Sequence, residues 1–426
     1  MLANRLTSVA SRKLSTSTRA PARGLESLLQ KSPDDVVLTL AIRTPMCKAR
    51  KGGFKDTTSD ALLLAMLRAV KQRCAFDVAR VQDIAVGTCH PPSPVYEARA
   101  AALAAGFPQE TPVQAINRLC SSGLMAIRSI SDSIARGDID VGLAVGYESM
   151  TKNPRPTPTF GSQEIKDHQV ARDCAEPMGW TSEMLAQDFN IKRQQMDEVA
   201  LMSHTRAFDA QKAGRFVEEI IPVEATFIDE EGNASTVLVD KDDELRPSTL
   251  EGLAKIKPAF PQWGNGLSTA GNSSQMTDGA AAVMLMRRNV AEELGLPILA
   301  KHVATSVVGV SPRVMGVGPV PAIRHILEKT GLTTGDVDLY EINEAYASQV
   351  VYCLDQLQLP LEKVNVNGGA IAFGHPLGAT GARQVVTGMS ELRKRDGSIL
   401  CTSMCIGSGM GAAAIFVNEN AQRLRG

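Results

Sequence analysis

Short apolar runs alternate with helix-spaced stretches in two blocks of this 426-residue chain, and a polar, proline-broken stretch separates the blocks. In the first block the segments 35–42, Asp83–Gly87 and Asp138–Gly146 are short, apolar and rich in β-branched residues, and they predict buried strands. Between them, Ser59–Val70 carries Leu62, Leu63, Met66 and Leu67 at helical spacing, and Ala98–Ala105 and Ser121–Ala135 also predict helices. After Met150 the texture changes. Pro154, Pro156 and Pro158 break regular structure, a long polar helix is predicted over Ser182–Gly214, and exposed strands over Glu219–Phe227 and Ser235–Val239. From Asp278 the Gly/Ala-rich alternation returns, with strands near Ala281–Met286, Ala300–Val310, Leu339–Ile342 and Ala412–Val417. Strand and helix in alternation predict an α/β fold whose parallel or mixed sheet is covered on both faces. The rhythm occurs twice, which suggests a duplication, although no residue-level repeat is visible.

Charge narrows the partners. Lys+Arg total 45 against Asp+Glu 46, a formal net charge of -1, so a broad nucleic-acid footprint is not expected. No window holds the roughly eighteen uncharged apolar residues that a membrane-spanning helix needs. The 8 cysteines are scattered through a long chain, which reads as reduced thiols and not as a disulfide scaffold.

The first residues read as an address. Residues 1–25 carry Arg5, Arg12, Lys13, Arg19 and Arg23, many hydroxyls and no acid before Glu26, and Leu2, Leu6 and Val9 line one helical face. An Arg- and Ser-rich, acid-poor amphipathic start favours a mitochondrial transit peptide. Arg5-Leu6 with Val9 also resembles the start of a peroxisomal targeting nonapeptide, but Arg12 and Lys13 stand where that signal wants His or Gln and then Leu. The organelle matrix is therefore expected, with the mitochondrion favoured and the peroxisome the alternative.

Five motifs could carry chemistry. In Asn117–Gly123 (NRLCSSG), Cys120 opens a predicted helix. A thiol there meets unpaired N–H groups and the positive end of the helix dipole, both of which favour the nucleophilic thiolate. An inert buried Cys at a tight turn fits the same residues. In 367–383 (NGGAIAFGHPLGATGAR), glycines frame His375 and hold one imidazole in a fixed place. In Cys405–Gly411 (CIGSGMG), a second thiol precedes alternating glycines and suits acid/base work. A P-loop reading lacks the Lys-Ser/Thr pair, and a zinc reading lacks a second pair of ligands. In Glu341–Tyr346 (EINEAY), Asn343 follows a strand and could orient a water or cap the next helix. In Thr269–Gln275 (TAGNSSQ), small residues suit close passage of an extended ligand, or an ordinary turn. A Cys/His pair suggests acyl transfer through a thioester, and a second thiol fits a reaction that also moves a proton to or from carbon.

These motifs, in this order, resemble the thiolase family from about Asp34 to Phe416. The strings GGFKDT (52–57), VGYESM (145–150) and PMGWTSE (177–183) resemble the degradative 3-ketoacyl-CoA thiolases of the peroxisomal-type branch. The resemblance implies a fold of two βαβαβαββ halves forming a five-layer α/β/α/β/α core, with a loop domain inserted in the first half. It divides the chain into a presequence and linker (1–33), an N-terminal half (34–149 plus 277–297), the inserted loop domain (150–276) and a C-terminal half (298–426). It implies that Cys120 is the acyl-accepting nucleophile, that His375 takes its proton and that Cys405 is the acid/base. Asn343, through a water and with His375, would hold the enolate oxygen. The amides of Cys120 and Gly407 would form a second oxyanion hole. Ser274 would contact pantetheine, and Met178, Ala345 and Tyr346 would line the acyl or pantetheine tunnel. Coenzyme A is the implied co-substrate, with no metal, and the implied assembly is a homodimer or dimer of dimers.

The implied activity is thiolytic cleavage of 3-ketoacyl-CoA. The competing readings are an acetoacetyl-CoA thiolase in the condensing direction and an acyl-CoA-binding homologue without turnover. A ketosynthase would want a second His where Asn343 stands. The sequence departs from the family pattern at Ala379-Thr380, Tyr346, Phe373 and Trp180, all expected near the tunnel, and over Thr88–Arg99.

Overall fold

The computed structural model describes residues 24–421 other than Glu244 and Arg246; the N-terminal targeting segment read above lies outside the described residues apart from its last positions. Strands β1 (Val36–Arg43), β2 (Asp83–Gly87), β3 (Val113–Ile116), β4 (Val141–Ser149) and β5 (Thr277–Arg287) build one sheet in the order β3-β2-β4-β5-β1. Strands β6 (Ala300–Gly309), β7 (Leu339–Ile342), β8 (Ile399–Ile406) and β9 (Met410–Val417) follow in the order β7-β8-β9-β6. A parallel bridge from Tyr340 to Val364 extends that second sheet beyond β7.

The pairing rules repeat. β2 runs parallel to β3 and β4, and β5 runs antiparallel to β4 and β1. Likewise β7 runs parallel to β8, and β9 runs antiparallel to β8 and β6. The two sheets meet where β1 pairs with β6 at Val37–Lys301 and Leu38–Ala300.

Side-chain alternation sorts each sheet into two faces. Ala280, Ala282, Met284 and Met286 pack outward against helices α1 (Ser59–Arg73) and α2 (Pro94–Ala105). Ala281, Val283 and Leu285 pack inward against helices α3 (Ser122–Arg136) and α8 (Leu377–Lys394). In the second sheet Ala412, Ala414 and Phe416 reach the same two helices, while Ala413, Ile415 and Val417 pack outward on Pro319–Thr330 and Ala347–Leu357, which are α6 and α7. The layers are thus helix, sheet, helix, sheet, helix. α8 is buried almost all round because a sheet lies on each side of it.

α3 and α8 meet through glycines. A Cβ on Gly123 would come within 2.6 Å of the Gly378 carbonyl, and one on Gly378 within 2.5 Å of Thr88 Cα. Part of the glycine pattern around His375 therefore serves helix packing.

Several sequence expectations shift. The single helix predicted over Ser182–Gly214 is two, α4 (Met178–Asp188) and α5 (Arg193–Lys212). Asn190 between them takes a positive φ of 54°, and Lys192 N–H donates to Gln195 Oε1 to start α5. β3 and β8 were not predicted, and β5 is longer than the predicted Ala281–Met286. The predicted strand Glu219–Phe227 splits: Glu219–Ile221 runs beside Arg43, and Val223–Ile228 forms a hairpin with Ala234–Val239. Arg43, buried at the end of β1, pairs with Glu219 at 2.7 Å and Asp242 at 2.6 Å, which ties this region to the core. Among the described residues no helix is long and apolar enough to cross a membrane.

Candidate active site

The turn before α3 is built by its own polar residues. Asn117 Oδ1 accepts the Leu119 N–H at 2.9 Å. Ser122 Oγ accepts from Arg118 N–H and donates to Leu119 O, and Ser121 Oγ donates to Arg118 O. Together they hold Leu119 at φ 48°, a costly conformation for a branched residue, and so fix Cys120 beside it. Ser121 is the N-cap of α3, and Cys120 precedes it.

Cys120 is buried, and the amides of Gly407 and of Cys120 itself are directed at its sulfur. The helix terminus was expected to lower the thiol's pKa. The structure reverses that balance: burial dominates and holds Cys120 above the usual thiol range, with the amides and Arg155 opposing. At rest Cys120 is a thiol that needs a base.

His375 precedes Pro376, the N-cap of α8, and its N–H donates to Gln275 O at 2.9 Å. Its Nδ1 lies 2.6 Å from Thr380 Oγ1, which itself donates to Pro376 O at 3.0 Å. The hydroxyl proton is thus committed, and the hydrogen-bond pattern assigns the imidazole proton to Nδ1. Nε2 is left as a lone pair, 3.4 Å from Asn343 Nδ2. Burial, then the nearby Arg383, lowers the pKa of His375 to about 3, so the ring is a neutral base.

Asn343 follows β7. Its N–H donates to Ser403 O, and its buried Oδ1 has no partner among the described residues. The adjacent Glu344 accepts from Ser203 Oγ, Asn365 Nδ2 and Ile371 N, which pins the loop.

Cys405 is the penultimate residue of β8, and the turn to β9 passes through Ser408 and Gly409 at positive φ. Cys405 packs with Met315 and Ala345, and Met178 and Tyr346 lie against that cluster. Ser274 N–H donates to Ala345 O, so the 273–275 segment lies between the His375 turn and the Ala345 loop. The structure therefore gathers Cys120, Gly407 and Met178 on one side, Cys405, Ala345 and Tyr346 behind them, and His375 with Asn343 beside Gln275. The Ser274 hydroxyl has no partner among the described residues, and the side chain is half-buried.

Three of the departures have defined neighbours. Thr380 backs His375. Phe373 packs edge-on against Phe216, with ring centroids 5.2 Å apart. Trp180 lies under Arg313. The variant loop after β2 sits against the nucleophile turn: Cys89 Sγ donates to Leu119 O at 3.0 Å, and buried Glu148 accepts from the Cys89, His90 and Gly378 amides. The sequence reading named Thr380 only as a departure expected near the tunnel, and it gave no role to Gln349 or Glu148. Thr380 and Gln349 had a usable signal, since they stand in the first turn of a helix, five residues after His375 and four after Ala345 respectively. Among the described residues no His/Cys/Asp/Glu group could hold a metal ion.

Comparison with known proteins gives the family of the chain. The family described as "Thiolase, N-terminal domain" matches residues 36–289, and "Thiolase, C-terminal domain" matches 296–418. The chain is 51% identical over 390 residues to the peroxisomal 3-ketoacyl-CoA thiolase B of Rattus norvegicus, covering 91% of this chain and 92% of that one. It superposes on the dimeric peroxisomal thiolase of Saccharomyces cerevisiae with a TM-score of 0.86 at 45% identity, covering 92% of this chain and 100% of that one. Human mitochondrial 3-ketoacyl-CoA thiolase in complex with CoA gives a TM-score of 0.80 at 35% identity, covering 92% and 98%.

Proposed function

The chain belongs to the thiolase family, and from that membership we propose that it is a 3-ketoacyl-CoA thiolase, an acyltransferase that cleaves 3-ketoacyl-CoA with coenzyme A. The observation that carries the proposal is that the buried thiols of Cys120 and Cys405, carried on two separate turns, interact, with the Gly407 amide directed at the Cys120 sulfur.

In this reading Nε2 of His375 takes the Cys120 proton, and the thiolate adds to the β-carbonyl. The amides of Cys120 and Gly407 receive the oxyanion. Collapse breaks the bond between the α- and β-carbons, and its electron pair passes to the acetyl-CoA enolate. Cys405 protonates that enolate at carbon, while Asn343 and His375 hold its oxygen, directly or through a water. Incoming coenzyme A gives its thiol proton to the Cys405 thiolate and attacks the acyl-Cys120 thioester. The departing Cys120 sulfur recovers its proton from His375. Charge and protons balance over the ping-pong cycle. Ser274, Met178, Ala345 and Tyr346 are the proposed contacts for pantetheine and acyl chain.

A dimer is proposed on the yeast relative's description and on the open edge of β3, beside which Tyr96 of α2 is 78% exposed. The names of the relatives favour the peroxisomal matrix over the mitochondrion expected from the N-terminus.

The test is CoA-dependent loss of 3-ketoacyl-CoA from the four-carbon substrate to long chains, with Cys120→Ser as control. Cleavage by wild type only supports the reading. Activity confined to acetoacetyl-CoA would move it to the acetyl-specific class, and binding without cleavage at any length would overturn it.

A further inference from the structure

Gln349 stands behind Cys405. It lies in the first turn of α7 and is 2% exposed. Its Oε1 accepts the Ala345 N–H at 3.2 Å and lies 3.7 Å from Cys405 Sγ. Its Nε2 lies 3.9 Å from Cys353 Sγ. An N–H can be given only to an acceptor, so the Ala345 amide settles which end of the Gln349 side chain is oxygen. That oxygen faces Cys405, and the NH₂ faces Cys353.

An oxygen at hydrogen-bond range from a sulfur accepts an S–H and repels a thiolate. Among the described residues no cation offsets it: the titratable groups that interact with Cys405 are Cys120, Cys353 and Tyr346, all acids, and only the backbone N–H of Cys405 itself favours the thiolate. We propose that Gln349 is a positioning residue that keeps Cys405 a neutral thiol, so that the resting site presents the acid of cleavage and not the base of condensation. This rests on the thiolase reading above. The Sγ–H turns about Cβ–Sγ to deliver its proton to the enolate carbon. The S–H bond breaks and a C–H bond forms. The thiolate then faces the Gln349 oxygen, which favours prompt recovery of a proton from the coenzyme A thiol.

The experiment needs no turnover. The pH midpoints for alkylation of Cys405 and Cys120 by iodoacetamide are read by peptide mass spectrometry in wild type, Gln349→Met and Gln349→Glu. Gln349→Met removes the acceptor at similar volume. Its Cys405 midpoint falls by roughly one pH unit, about tenfold more thiolate at fixed pH, while the Cys120 midpoint stays. Gln349→Glu keeps an oxygen for Ala345 and Cys405, so its midpoint stays at or above wild type. A shift of both variants in one direction, or of Cys120 together with Cys405, is a structural effect and overturns the proposal, as does no shift in Gln349→Met. If Gln349→Met does not fold, Gln349→Glu decides alone: a Cys405 midpoint below wild type overturns it. Absence of cleavage in wild type would count against the thiolase reading and leave these midpoints interpretable.

Discussion

Cys120 and His375 stand at the same place in the two halves of the molecule, each one residue before the N-cap of its half's central helix. The helices α3 and α8 touch through Gly123 and Gly378, so their N-termini lie together and carry the thiol and the imidazole to one region. The duplication supplies two equivalent positions, and the sequence has filled them with different chemistry.

Thr380 fixes the tautomer of His375. Thr380→Val is expected to lower kcat by roughly ten- to hundredfold with KM little changed, a part of the roughly 10²–10⁴ that a positioned base supplies. Thr380→Ser, which keeps the oxygen, should recover most of it. Steady-state kinetics of cleavage checks both variants.

His375 also links stability to pH. Its pKa is about 3 in the folded protein, against ~6.5 unfolded. The group's stability contribution is thus present above the unfolded value and lost as pH falls toward the folded one. Between about pH 7 and pH 5 the loss is about 2 kcal/mol. Urea midpoints of wild type and His375→Asn should therefore converge, or cross, by about that amount as pH is lowered. His302, also lowered by burial to about 4, is present in both proteins and cancels in the difference. Parallel pH curves would show that His375 is not held neutral.

Gly378→Ala places a methyl against Thr88 Cα and the Tyr147 and Gly87 carbonyls, all backbone atoms. Backbone cannot swing aside as a side chain can. A loss of about 3 kcal/mol is expected, read as a lower Tm or as failure to accumulate soluble protein. An unchanged Tm would mean that α8 does not sit this close to the loop after β2.

Arg43→Met leaves Glu219 and Asp242 buried without their cation. The expected cost is about 3–5 kcal/mol in urea unfolding. Replacing Arg43, Glu219 and Asp242 together with apolar residues of similar volume should recover part of it, since the penalty comes from the stranded charges.

Much of the candidate site was legible as residue types. Cys120, His375, Asn343 and Cys405 each stood in a short motif whose glycines, hydroxyls and amides are costly to place at random, and each lies at the end of a core element. The polar residues of NRLCSSG are now seen to hold the strained turn at Leu119. The contact of Thr380 with His375 was not foreseen because it is set by the angle at which α8 leaves Pro376, a property of the packed helix. The split of Ser182–Gly214 was missed because polar residues continue helical spacing through Asn190, and only its φ breaks the run. β8 was passed over because Thr402 and Ser403 interrupt its apolar run, although the strand is buried throughout.

The sequence by itself determined the α/β class, the doubled rhythm, the motifs and the family, because hydrophobic period and turn chemistry are local properties of a chain. Tertiary structure alone decided the protonation states. Whether a thiol at a helix start is ionised depends on how much water the fold removes around it, and here burial outweighs the helix terminus at Cys120. Which nitrogen of His375 carries the proton, and which end of Gln349 faces Cys405, follow from partners that only packing brings within hydrogen-bond range.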